Sequence, residues 1–457
     1  MPAFYSPKTH SHFQQQGAAL LMLVLVVVVL GSGILLTALN ASGRASSLSH
    51  DKAVLKQAKQ ALLGYALSYA DNHPGQLPGY LPCPDSNGDG LSDEPCGKIQ
   101  QSALGRLPWR TLGLPPLRDS GGECLWYAVS GAYKASPKGR LSTDANGQFL
   151  VFDTQLRSLQ TEPAIALVFA PGKMIASQRR DRTAGQTSEC GSLVRSDQVN
   201  RAANFLDNFA GIDNASGRYR GGQILGFPIK PVSSTGFSAF VSAGTQKQQD
   251  VEVFNDQLIA IVPNDFSAVY AYMQRRVGET VRQCLKAYDQ ANAAKLPWPA
   301  ILNGSTSPGY DDNTGQYRFG RIPRNLSHTA AAGMQAFWPL DPQQSGTQCF
   351  TWPWWQNMRE TVFYAIDVSA APTASSGQTV TVDGSPVSAA VLVAGRPGPG
   401  QRRLRNRDKG LIRQYLEGGN VVDNGSGRLP PGDAHFVSHD ASVQFFNDYV
   451  CSLEVCP

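Results

Sequence analysis

The sequence predicts an α+β protein with an N-terminal transmembrane helix followed by two tandem units. Three observations carry this: an apolar run near the N-terminus, two helical stripes of apolar residues, and a set of short strings that occurs twice in one order.

The apolar run extends from Ala18 to Leu39. As a helix it would rise about 33 Å, enough for the roughly 30 Å hydrocarbon core of a bilayer. A polar leader, MPAFYSPKTHSHFQQQG, precedes it, with Lys8 as its one firm positive charge and Gly17 at the junction. A secretory signal is cut after its apolar region and loses it; here the expected cut lies before that region, which is retained.

Past this run, Ser47 to Asn72 reads as a helix, because Val54, Leu55, Ala58, Leu62, Leu63, Ala66, Leu67 and Tyr69 recur at three- and four-residue steps. His73-Pro74-Gly75 ends it. A second stripe of Val269, Met273, Val277, Val281, Leu285 and Tyr288 predicts a helix over Phe266 to Ala294.

The repeated strings organise the remainder. Leu81-Pro82-Cys83-Pro84 answers to Leu296-Pro297-Trp298-Pro299, and Trp126-Tyr127-Ala128-Val129 to Phe363-Tyr364-Ala365-Ile366. Leu167-Val168 matches Leu392-Val393, and Gln178-Arg179-Arg180-Asp181-Arg182 matches Gln401-Arg402-Arg403-Leu404-Arg405. Asp213-Asn214-Ala215-Ser216-Gly217-Arg218 matches Asp423-Asn424-Gly425-Ser426-Gly427-Arg428; Phe240-Val241-Ser242 matches Phe436-Val437-Ser438; Phe254-Asn255-Asp256 matches Phe446-Asn447-Asp448. The order holds while the spacing drifts, as expected when insertions collect in loops. Each unit runs helix, Pro-rich loop, then short alternating strands such as Leu125 to Val129, Ile165 to Phe169 and Glu252 to Ile261. The chain therefore divides into a leader (1–17), a transmembrane helix (18–45), a first unit (46–262) and a second unit (263–457).

The string from Gln14 to Met22, QQQGAALLM, resembles the type IV prepilin signal, in which a membrane peptidase cuts after Gly and methylates the new N-terminus. Gly17 and Ala18 would flank that cut. Gln16 stands where the family has a basic residue, and Met22 where major pilins carry Glu. In the family that Glu is thought to pair with a neighbouring subunit's amine inside an apolar bundle, where an unpaired charge is costly. A subunit without it suits a filament tip.

The resemblance implies two pilin-like units, each a helix packed on a small antiparallel sheet with long loops. It implies a non-catalytic minor pilin or pseudopilin that primes assembly or sits at the tip of a type IV pilus or type II secretion filament. Its partners would be other pilins or pseudopilins, the prepilin peptidase and, before assembly, the inner membrane. Its ectodomain would face the periplasm of a Gram-negative bacterium before reaching the cell surface. The alternative is a membrane-anchored extracytoplasmic adhesin or ligand-binding protein outside any filament.

Composition agrees with an exported chain. The 457 residues exceed one ordinary core, at about 150 residues per domain. A net charge of +5 with 16% charged residues fits neither a strongly basic nucleic-acid binder nor a disordered acidic chain. Eight cysteines, Cys83, Cys96, Cys124, Cys190, Cys284, Cys349, Cys451 and Cys456, form an even set that an oxidising compartment would pair. Cys83 with Cys96 and Cys451 with Cys456 are the local pairings; the rest of the connectivity is open.

The sharpest local motif runs from Asp85 to Glu94, DSNGDGLSDE, with oxygen side chains at alternate positions and Gly at the turns. It resembles the DxNxDG calcium loops of EF-hand and dockerin-type proteins. That resemblance assigns a structural calcium to Asp85, Asn87, Asp89, the Leu91 carbonyl, and Asp93 or Glu94, since calcium takes six to eight hard oxygens. The other reading is an Asx-rich turn. Position twelve of such a loop, a Glu in EF-hands, is Cys96.

No CxxC, GxSxG or HExxH string is present. His435 and His439 lack the Glu of a zincin and read as surface or core residues. The arginines around Arg179 and Arg402 could meet nucleic-acid phosphates, but a solvated loop is favoured. Trp352-Pro353-Trp354-Trp355 reads as buried core in preference to a surface patch.

Overall fold

The computed structural model describes residues 45–175, 178–249, 251–302, 310–313, 317–373, 379–403, 406–422 and 434–457. The chain divides into two compact units, Met1–Val54 and Leu55–Pro457. Of the first, residues 45–54 are described and are helical. The second opens on helical residues 55–72, α1, and contains everything that follows.

The expected fold class is corrected here. Of the transmembrane helix expected over 18–45, only residue 45 falls among the described residues, where no helix is long and apolar enough to cross a membrane. The helix that is described is amphipathic. Leu55, Ala58, Leu62, Ala66 and Tyr69 are buried, while Lys56, Gln57 and Gln60 are exposed, a polar face that hydrocarbon would not accept. The described chain is α+β with several small sheets.

The first half of the body carries strands β1 (Ala103–Arg106), β2 (Trp126–Val129), β3 (Phe149–Phe152) and β4 (Ala166–Ala170). Five two-residue strands follow: β5 (Asn208–Phe209), β6 (Ile212–Asp213), β7 (Arg218–Tyr219), β8 (Gln223–Ile224) and β9 (Phe227–Pro228). β10 (Ser238–Val241), β11 (Gln246–Gln248), β12 (Val251–Phe254) and β13 (Gln257–Ile261) complete it. Helix α2 (Ser267–Ala291) opens the second half, with β14 (Phe319–Arg321), β15 (Val362–Ile366), β16 (Val380–Val382), β17 (Ser385–Val387), β18 (Ala389–Val393), β19 (Ala434–Phe436) and β20 (Tyr449–Ser452).

The two halves share one topology. An antiparallel sheet of order β1-β2-β4-β13 answers to β14-β15-β18-β20. A parallel pair, β3 with β10, answers to β16 with β19. Each half therefore has a layer beyond the expected helix on sheet. In the first, Trp126, Ala128, Leu167 and Phe169 of the sheet pack against Phe149, Val151 and Phe240 of the parallel pair. In the second, Phe363, Ala365, Ala390 and Leu392 pack against Val380, Ala434 and Phe436.

Register fixes which residues are equivalent. Tyr127 lies opposite Val168, and Tyr364 opposite Val391, so Val168 corresponds to Val391 and Phe169 to Leu392. The string match of Leu167-Val168 with Leu392-Val393 was thus two residues out. A two-residue slip keeps the same face of a strand, so it left the apolar pattern undisturbed. The tyrosines do equivalent work: Tyr127 donates its hydroxyl to the Pro82 carbonyl at 3.2 Å, and Tyr364 donates to that of Pro297. Gly105 and Gly320 also match. A Cβ at either would run into the backbone carbonyl of the facing residue, Asp85 or Ala300.

The halves meet through α2. Its buried residues include a second stripe, Tyr270, Gln274 and Gly278, beside the apolar one. Phe266 and Tyr270 contact the first half, where the Tyr133 and Tyr270 hydroxyls lie 2.7 Å apart and the Phe266 and Tyr133 rings pack edge to face. Gly278 lies against the Tyr449 ring of β20, and Gln274 donates to the carbonyls of Val393 and Asn447 at 3.0 and 2.7 Å. A helix buried on two sides makes one body of the two halves.

Candidate functional site

The strongest constellation in the structure is a polar network that occurs once in each half. In the first, the Asp207 amide and the Asn214 side chain donate to Asp256 Oδ2 at 2.7 and 2.9 Å. Asn214 also exchanges two bonds with the Val241 backbone. The Asn255 amide and Gln178 Nε2 donate to Asp207 at 2.7 and 2.8 Å. In the second, Glu417 replaces Asp207, and Asp448, Asn420, Val437, Asn447 and Gln401 take the remaining roles.

An arginine closes each network. Arg180 donates to Gln178 Oε1, the Asn204 carbonyl and the Gly172 carbonyl, pairs with Glu123 at 2.9 Å, and lies over the Phe205 ring. Arg403 donates to Gln401 Oε1 and the Gln414, Gly395 and Tyr415 carbonyls, pairs with Asp144 at 2.6 Å, and lies over Tyr415. A second guanidinium covers the other side of the same system: Arg106 stacks on Trp126 and Phe205, and Arg321 on Phe363 and Tyr415. Burial pulls Arg106 down to about 9, which leaves it charged at neutral pH.

The repeated Gln-Arg-Arg strings are therefore clasps. Their second arginines, Arg180 and Arg403, are spent on internal partners, and the first ones, Arg179 and Arg402, are exposed. Arg405 lies outside the described residues.

The paired carboxyls behave as proton holders. Burial pushes Asp207 up to about 6, and burial together with the Asp207 charge pushes Asp256 well above the carboxylate range. Glu417 and Asp448 shift the same way, with burial the leading cause and the neighbouring Glu417 charge adding for Asp448. A folded carboxyl held above its unfolded value binds protons more tightly than the unfolded chain does. The stability it contributes is complete below about pH 4 and falls as pH rises through the folded value. Urea midpoints of the wild type should thus decline from pH 5 to pH 8 more steeply than those of Asp256→Asn/Asp448→Asn. Parallel pH profiles would show that the two pairs hold no extra protons.

The Asp85–Glu94 loop folds as a turn closed on its own amides. Asp85 is fully buried; its Oδ1 accepts from the Asn87 and Gly88 amides and its Oδ2 from that of Gly90. Asn87 Oδ1 accepts from Asp89, and Asp89 Oδ1 from Leu91. Asp93 Oδ2 accepts from the Ser86 amide and hydroxyl, and Glu94 Oε1 lies 3.5 Å from the Ser92 hydroxyl. Gly88 and Gly90 have positive φ, and a Cβ at either would strike the 190–191 backbone or the Trp109 ring. No group of three or more acidic, histidine or cysteine side chains that could hold a metal ion occurs among the described residues. As folded, the Asp85, Asn87 and Asp89 side-chain oxygens accept from the turn's own amides.

All eight cysteines pair: Cys83–Cys96, Cys124–Cys190, Cys284–Cys349 and Cys451–Cys456. The tryptophans of the 352–355 string are buried; Trp352 stacks on Trp354 and donates to Asp341 at 2.7 Å. His435 Nδ1 lies 2.7 Å from the Thr381 hydroxyl, and His439 packs on Phe446. Gly17 and Ala18 lie outside the described residues.

Beside the second network a cleft of about 920 Å³ opens between the halves. Tyr270 and Gln274 of α2, Glu162 of the first half, and Arg396, Phe446 and Asp448 of the second line it. Arg396 bridges it, pairing with Glu162 at 3.0 Å and donating to the Ala145 carbonyl at 2.9 Å. No protein-family model, curated protein or solved structure matches the chain.

Proposed function

We propose that this chain is an exported, non-catalytic minor pilin or pseudopilin that primes assembly or caps the tip of a type IV pilus or type II secretion filament. The observation that carries the reading is the Gln14–Met22 string, with Gly17 and Ala18 at the expected cut and Met22 where a repeating subunit carries Glu. Two features support it. The four disulfides fit an oxidising, extracytoplasmic compartment. The buried carboxyls of the duplicated network accept from backbone amides and its arginines donate to backbone carbonyls, as befits a scaffold.

Other pilins or pseudopilins and the prepilin peptidase are the partners this reading names, with the periplasm and then the filament as location. A body of 403 residues, Leu55–Pro457, is bulky for a unit repeated along a tightly packed filament, which favours the tip. Mass spectrometry of the mature protein is expected to find an N-terminus at Ala18 bearing one added methyl group. A mature chain that keeps Met1 would overturn the reading in favour of an extracytoplasmic adhesin or ligand-binding protein outside any filament.

A further inference from the structure

The β8–β9 hairpin of the first half is held at its root and bare at its tip. Ile224 and Ile229 are buried in an apolar cluster with Leu150, Phe152 and Val241, and Phe227 packs edge to face on Phe237. At the tip Leu225 is 64% and Phe227 41% exposed, with Gly226 and Pro228 also exposed. Leu225 has φ +50°, followed by Gly226 at +80°. Asn or Gly takes this left-handed conformation at little cost, whereas leucine is strained there and leaves most of its surface in water.

Behind the tip stand exposed cations. The hairpin root closes where the Ile229 amide donates to the Gly222 carbonyl, with Arg220 and Lys230 just beyond. Both are exposed, and neither is ion-paired with a described residue. Arg218 is exposed too but lies opposite Asp213 in the β6–β7 register. Three residues of strand separate Gly222 from Leu225, about 10 Å. A headgroup layer is about 5–8 Å deep on each side of a bilayer, so the spacing places apolar groups below it and cations within it. The second half shows no such strand pair between β18 and β19 among its described residues.

We propose that the 223–228 hairpin is a lipid-touching tip: Leu225 and Phe227 enter the acyl boundary of an anionic bilayer while Arg220 and Lys230 meet its headgroups. This does not depend on the pilin reading. Every native cysteine is in a disulfide, so Leu225→Cys adds a single thiol for an environment-sensitive fluorophore on the full chain. Because the label reports only its own surroundings, binding through the apolar N-terminal run does not mask the result. The label should brighten several-fold and shift to the blue with vesicles of equal parts phosphatidylglycerol and phosphatidylcholine, and stay unchanged with phosphatidylcholine alone. Adding Arg220→Glu/Lys230→Glu should abolish the response, and a label at the exposed Leu159 should not show it. Equal responses at positions 225 and 159, equal responses to the two vesicle types, or a response to added filament protein in place of lipid would overturn the proposal.

Discussion

Truncating Arg403 to alanine is expected to destabilise the protein by about 3–5 kcal/mol, the range for breaking a buried ion pair from one side. The Arg403 side chain is 3% exposed, and its loss strands several groups at once. Asp144 loses its cation, and the Gly395, Gln414 and Tyr415 carbonyls lose their donor. The counterpart Arg180→Ala should cost about 2–3 kcal/mol, because the Arg180 side chain is 8% exposed and donates to two backbone carbonyls where Arg403 donates to three. The two variants should also differ in kind. Asp144 belongs to the first half and Glu123 pairs within its own half, so Arg403→Ala should speed hydrogen exchange on either side of the junction, in residues 141–147 and 395–401. Arg180→Ala should leave those segments protected. Arg403→Lys should restore less than half of the loss, since an ammonium cannot reproduce the planar fork that reaches Gly395, Gln414 and Gln401. Urea denaturation with exchange mapping reads these outcomes, and equal exchange at the junction in the two variants would refute the division of roles.

The repeat was legible because its strings fall on strands and on the network itself. Phe254-Asn255-Asp256 and Phe446-Asn447-Asp448 coincide with the buried acids, and the Gln-Arg-Arg strings coincide with the clasps. What the strings could not disclose was direction: an arginine in a Pro- and Gly-rich loop reads as solvated, and only the fold turns Arg180 and Arg403 inward onto aromatic rings. String identity also misled beyond the two-residue slip on β18. Asn214 was aligned with Asn424, yet Asn420 makes its bonds, inside a Gly-Gly-Asn turn that resembles nothing around Asn214. Helix α2 shows the matching limit of periodicity. Its apolar stripe was visible, but the stripe through Gln274 and Gly278 that seats it on β20 is polar or bare and leaves no hydrophobic trace. The Asp85 loop had the right oxygens for an ion at the right spacing. Spacing does not disclose that the Asp85 oxygens accept from the loop's own amides.

Removing the long-range disulfides should cost nearly as much as breaking the clasp. Cys124–Cys190 and Cys284–Cys349 close loops of 66 and 65 residues, for which chain entropy predicts about 4 kcal/mol each. Cys83–Cys96 spans 13 and Cys451–Cys456 only 5, for about 3 and 2 kcal/mol. None of the four follows the repeat. Cys83 corresponds to Trp298, Cys124 to Thr361 and Cys451 to Ile259 by register and string position, and none of these is a cysteine. The bonds instead fasten what each half added to the common fold. Cys190 ties down the segment on which the Asp85 turn rests, through the Cys190 amide to the Gly88 carbonyl at 2.9 Å. Cys349 ties α2 to the tryptophan cluster, next to Phe350, whose ring contacts Trp338, Trp352 and Trp355. Paired Cys→Ala variants should therefore lose stability in the order of loop length, with the shared sheets and networks kept. A cost at Cys451–Cys456 equal to that at Cys124–Cys190 would mean that native packing at the sulfurs, and not closure of the loops, carries the effect.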